Sequence, residues 1–160
     1  MDLGLRGKHA IVTGATRGIG RAIAETLADE GCNVGICARD PASVAATVAA
    51  LAQKGIRATG QALDVRDGAA LKAWIAAAGV ELGGLDILVS NVSAMGGLAG
   101  DEGWRRYFEI DLMGTVHAVE AAVPMLGNPA PGPSCKSPAS PRSKSATTSS
   151  PTASCRLTGR

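Results

Sequence analysis

The stretch Thr13-Gly14-Ala15-Thr16-Arg17-Gly18-Ile19-Gly20 constrains this chain more than any other. It follows a short apolar run, His9 to Val12, and opens a helical period carried by Ile19, Ile23 and Leu27 that stops at Gly31. Strand, glycine loop and helix in that order give a backbone that turns sharply and comes close to a ligand. The free N–H groups and the positive end of the helix then attract negative charge, and a pyrophosphate suits both. Such a loop needs a sheet beneath it, so the remaining chain must supply more strands.

It does so in regular alternation. Lys8 to Thr13 reads as the first strand and Asn33 to Ala38 as the second. Asp40-Pro41 gives a helix cap followed by proline at the first helical position, and Val44, Val48 and Leu51 then mark an inward face that closes at Gly55. Ile56 to Leu63 reads as a third strand, and Asp67 caps a helix burying Leu71, Trp74 or Ile75, and Ala78. Leu85 to Ser90 is a fourth strand, and Asp101 opens a long helix through Trp104, Phe108, Leu112, Val116, Val119 and Val123. Alternating strands and helices predict an α/β fold, a parallel sheet with helices on both faces. Only four residues are aromatic, so the core must be built from Ala, Val, Ile and Leu, as in parallel sheets generally.

The spacing Gly-x3-Gly-x-Gly after Thr13 resembles that of the short-chain dehydrogenase/reductase family. The resemblance covers residues 6–126. It implies the N-terminal half of a Rossmann-type doubly wound sheet, truncated, with strand order 3-2-1-4. Asp64-Val65 matches the family position whose carboxylate contacts adenine. Asn91 is the residue kept from the family's N-N-A-G, where this chain reads Ser90-Asn91-Val92-Ser93. Ile110-Asp111-Leu112-Met113-Gly114 aligns with N-x-x-G, putting Asp111 at the asparagine that helps hold a proton-relay water. The implied cofactor contacts are Gly14, Thr16, Arg17, Gly18, Ile19, Gly20, Ala38, Arg39, Asp64, Val65 and Asn91, with Asp111 as a weak catalytic candidate. The implied reaction is hydride transfer between a nicotinamide and an alcohol or carbonyl substrate, in a family that forms homo-oligomers.

The end of the second strand bears on the cofactor. An acid there would bond the ribose 2′-OH of NAD and repel a 2′-phosphate. Here Ala38 is followed by Arg39, and Arg17 adds a second cation, so NADP is expected over NAD.

The family's chemistry also uses a serine and a Tyr-x-x-x-Lys pair. The single tyrosine is Tyr107, and the residue four places on is Asp111. An acid near a phenol raises its pKa, the wrong direction for a proton relay. The expectation is therefore a chain without turnover; the alternative is a non-catalytic dinucleotide-binding fragment or a non-functional truncation product.

Charge divides the chain. Residues 1–126 carry eleven Lys/Arg against fourteen Asp/Glu, whereas residues 127–160 carry five Lys/Arg and no acid. That second part has six prolines and eight serines with one leucine, and is expected to be a disordered basic tail. Regrouping its codons by one base permits K-S-G-A-G-A-I-V-Q-I-S-S, similar to the family's fifth strand and serine, so a shifted reading frame is the expected origin. It lacks aromatics for base stacking, which argues against nucleic acid. No run reaches the ~20 apolar residues of a membrane span. The four cysteines and two histidines show no metal-binding spacing, which predicts no metal site and a cytoplasmic setting.

Overall fold

The computed structural model describes residues 3–94 and 100–127, so the expected tail beyond residue 127, and its origin, lie outside the described residues. Four parallel strands form one sheet in the order β3-β2-β1-β4, as expected. They are β1 (His9–Thr13), β2 (Asn33–Ala38), β3 (Ala58–Ala62) and β4 (Ile87–Val89). The register pairs His9 with Asn33, Ala10 with Ile87, and Val34 with Ala58. The third and fourth strands are shorter than the apolar runs that predict them. Pairing starts only where the neighbouring strand is alongside, and Ile56 and Leu85 instead pack as flanking apolar residues.

The helices are α1 (Gly18–Asp29), α2 (Pro41–Ala52), α3 (Gly68–Leu82), α4 (Asp101–Tyr107) and α5 (Gly114–Ala122). Strand side chains alternate between the two faces. On one face Val12, Val34 and Ile36 pack with Ala24 and Ala28 of α1 and Val44 and Leu51 of α2. On the other, Ile11 and Cys37 pack with Leu71, Trp74, Ile75 and Leu82 of α3 and Ala118 and Ala122 of α5. The sheet is thus covered on both sides, and buried small residues let the helices lie close to it. One consequence departs from the helical period of the sequence. The buried side of α1 is Gly20, Ala24 and Ala28, one residue on from Ile19, and Ile19 is 75% exposed.

The expected long helix is interrupted. Between α4 and α5, Phe108–Met113 forms a π-helical turn, and the Gly114 N–H donates to the Glu109 carbonyl five residues back. Gly103, Ile110, Gly114, Ala118 and Ala122 face inward. Trp104, Phe108, Leu112, Val116, Val119 and Val123 form an exposed apolar stripe on the outside. After α5 the chain returns to the sheet, where Leu126 bridges Leu85 in the parallel sense.

Candidate nucleotide site

The topology turns around between β2 and β4, with β1 in the middle, and in sheets of this kind ligands bind beyond the carboxyl ends of the strands at that point. Buried Thr13 ties the two sides together there. Its hydroxyl donates to the Val89 carbonyl at 3.4 Å and accepts the Asn91 N–H at 3.0 Å. The Asn91 amide nitrogen donates to the carbonyls of Thr13 at 3.3 Å and Gly14 at 3.2 Å. Asn91 thereby holds the glycine loop from below, and Gly20 lies against its side chain.

Gly18 takes φ +56°, a left-handed conformation open to glycine and costly for other residues. It starts α1 with Arg17 as the cap, and no side chain caps this helix. The contrast with α2 and α3 is direct: Asp40 accepts the Ser43 N–H at 2.9 Å, and Asp67 accepts the Ala70 N–H at 3.0 Å. The first N–H groups of α1 therefore stand available, with the helix dipole behind them.

Two openings flank the loop. One, about 250 Å³, is lined by Gly14, Thr16, Arg17, Ala38, Arg39, Asp64 and Val65 among the expected residues. The other, about 800 Å³ and more open, is lined by Gly14, Arg17, Gly18, Ile19 and Asn91 together with Val92 and Ser93. They share Gly14, Arg17, Val92 and Ser93, so one trough passes over the glycine loop. Apart from Gly20, which supports the loop from beneath, every expected cofactor residue lines this trough. Exposure of Ile19 now has a reason, since it lies on the trough wall.

Charge in the smaller opening is arranged unevenly. Asp64 accepts from the Arg66 guanidinium at 2.6 and 3.0 Å and from its backbone N–H at 3.0 Å. These bonds, the Arg66 side chain first, hold its carboxyl below the usual carboxylate range. Asp40 is likewise held low by the Ser43 hydroxyl and N–H. Both acids are thus occupied by neighbouring donors. Arg17 and Arg39, by contrast, have no carboxylate partner in an ion pair among the described residues. At the floor, burial pushes the Cys37 thiol up to about 12, with a hydrogen bond from Gly14 partly opposing it.

Asp111 lies apart from the trough. Its carboxylate accepts the Ala94 N–H at 3.0 Å, and its carbonyl accepts the Thr115 hydroxyl at 2.7 Å. Thr115 and Ser90 hydroxyls share a 2.8 Å hydrogen bond. The π-helical turn therefore anchors the loop that follows β4 and carries Asn91. Sequence reasoning missed Ser43, Ile110 and Arg106, which also line the smaller opening. Ser43 had a legible cue in the Asp40 cap three residues before it; the other two depend on how α4 is placed.

Comparison with known proteins agrees with this architecture. The chain matches the short chain dehydrogenase family over residues 8–133, and it belongs to that family. It is 36% identical over 129 residues to isoepoxydon dehydrogenase of Penicillium expansum, covering 79% of this chain and 50% of that protein. The L-sorbose reductase of Gluconobacter frateurii, solved with NADPH and L-sorbose, superposes with a TM-score of 0.73 at 35% identity, over 78% of this chain and 49% of that one. Carveol dehydrogenase of Mycobacterium avium, solved with NAD, gives 0.71 at 31% identity, over 76% of this chain and 50% of the other. The chain spans about half the length of the curated relatives it matches.

Proposed function

We propose that this chain is the cofactor-holding part of an NADP-dependent oxidoreductase acting on small alcohols or carbonyl compounds. The observation that carries the proposal is the trough over the glycine loop, lined by Arg17 and Arg39, neither in an ion pair among the described residues, and by the uncapped start of α1. The uncapped N-terminus of α1 with Gly14 and Gly18 would hold the pyrophosphate, and Asn91 keeps that loop in shape. Arg17 and Arg39 would hold the 2′-phosphate, since Ala38 brings no opposing charge. Asp64 and Val65 would face the adenine. When bound, the nicotinamide supplies or accepts the hydride, and the protein's task is to orient it. The relatives solved with NADPH and with NAD support a nicotinamide dinucleotide; the choice of NADP rests on the two arginines.

Within these 160 residues the only tyrosine is Tyr107, and Asp111 rather than lysine follows it by four. That supports binding without turnover by this chain taken alone, with residues 1–126 as the binding unit and the basic remainder outside it. Asp111 is assigned a positioning part through Ala94. Free, buried Cys32 and Cys37 fit a reducing compartment such as the cytoplasm.

Fluorescence titration with NADPH and NADH tests the cofactor assignment. The expected result is tighter binding of NADPH, with the preference lost in Arg39→Asp. Equal affinities in the parent protein, unchanged by that substitution, would overturn it.

A further inference from the structure

The smaller opening has two unlike walls. Arg17, Arg39 and Ser43 come from the α1 and α2 layer and make one wall polar. Leu63, Val65, Val92, Ala94 and Ile110 belong to the apolar cluster of the α3 and α5 layer and make the other wall hydrophobic. An aromatic base suits the second wall and a phosphate the first. Arg106 lines the same opening. It stands four residues before Ile110, hence on the same helix face one turn earlier. It is exposed and forms no ion pair among the described residues, although Asp40 and Asp64 line the same opening.

We infer that Arg106 closes the adenine end of the trough, laying its planar guanidinium against the same face of the base as Ile110 and Val65. A guanidinium attracts a π face electrostatically and stacks on it, which a compact ammonium does less well. The contact would be indifferent to the ribose 2′ position. Arg106 would therefore strengthen binding of every adenine-bearing ligand equally, in contrast to Arg39, which would separate NADPH from NADH. This assignment rests on the dinucleotide reading given above.

The test is titration calorimetry on the full chain with AMP, NADH and NADPH, comparing the parent with Arg106→Ala, Arg106→Lys and Arg39→Asp. Arg106→Ala is expected to weaken all three ligands by the same factor, roughly three- to tenfold, leaving the NADPH to NADH ratio unchanged. Arg106→Lys should recover less than half of that loss. A loss confined to NADPH would make Arg106 a phosphate contact, and full recovery with Lys would make it a matter of charge alone. Either outcome, or no change at all in Arg106→Ala, overturns the inference while leaving the dinucleotide reading intact. If the parent binds none of the three ligands, both readings fall together.

Discussion

A methyl group added to Gly20 would lie 2.3 Å from the Asn91 amide nitrogen and 2.5 Å from the Gly14 carbonyl oxygen. The amide could turn aside, but the carbonyl belongs to the backbone of the turn and cannot move without reshaping it. Gly20→Ala is accordingly expected to cost about 1–3 kcal/mol, as overpacking does, and to weaken NADPH binding through the loop. Thermal unfolding and a parallel titration check this; unchanged values for both would mean that the loop adapts freely. At the same scale, the acids of the trough matter by being occupied. Asp64 is engaged by Arg66, and Asp40 by Ser43. Neither forms an ion pair with Arg17 or Arg39, although Asp64 also feels the charge of Arg39.

Two elements show surfaces that the described fold leaves uncovered. The outer side of α4, the π-helical turn and α5 carries Trp104, 75% exposed, Phe108, 55%, and Leu112, 51%, with three valines following. Contiguous apolar stripes of this kind usually mark an interface. Among the described residues β4 is the last strand of the sheet on its side, and Leu88 sits at its centre. An open strand edge of aliphatic character invites pairing with another chain. The stripe and the edge together support self-association of the purified chain. In analytical ultracentrifugation at micromolar concentration, species larger than the monomer are expected. Phe108→Glu combined with Leu112→Glu should shift the population toward monomer, because it places charge on the stripe while leaving the inward residues intact. A parent protein that sediments as a clean monomer would show that the stripe and edge do not drive association.

Across the whole molecule, the alternation of strands and helices and the loop ends that line the trough were legible because both follow from local patterns, apolar runs, caps and glycine spacing, whereas the strand order was implied by the family resemblance. What escaped the sequence depends on contacts between distant segments. Ile19 carries the helical period in the sequence, yet α1 packs on the sheet through Gly20, Ala24 and Ala28 and leaves Ile19 lining the trough, a rotation that period alone does not set. The π-helical turn was hidden because the apolar period runs through Phe108 and Leu112 without a break, while the turn itself serves the Asp111 to Ala94 contact. Arg106 was one arginine of a pair until α4 was placed beside Ile110. With the trough assembled and one tyrosine in the chain, the 160 residues are expected to show no reductase turnover with NADPH across a panel of ketones. General acid–base assistance of the missing kind is worth about 10²–10⁴-fold, and turnover comparable to an intact reductase would contradict the account. The central claim, that this four-stranded unit folds and holds the dinucleotide, is met most directly by thermal unfolding of the full chain with and without NADPH. At about a hundred times the dissociation constant, ligand binding adds about 2.7 kcal/mol, which for a domain near this size raises Tm by roughly 10 °C. The account predicts a cooperative transition with an upward shift of that order. A non-cooperative melt, or one unmoved by saturating NADPH, would contradict it.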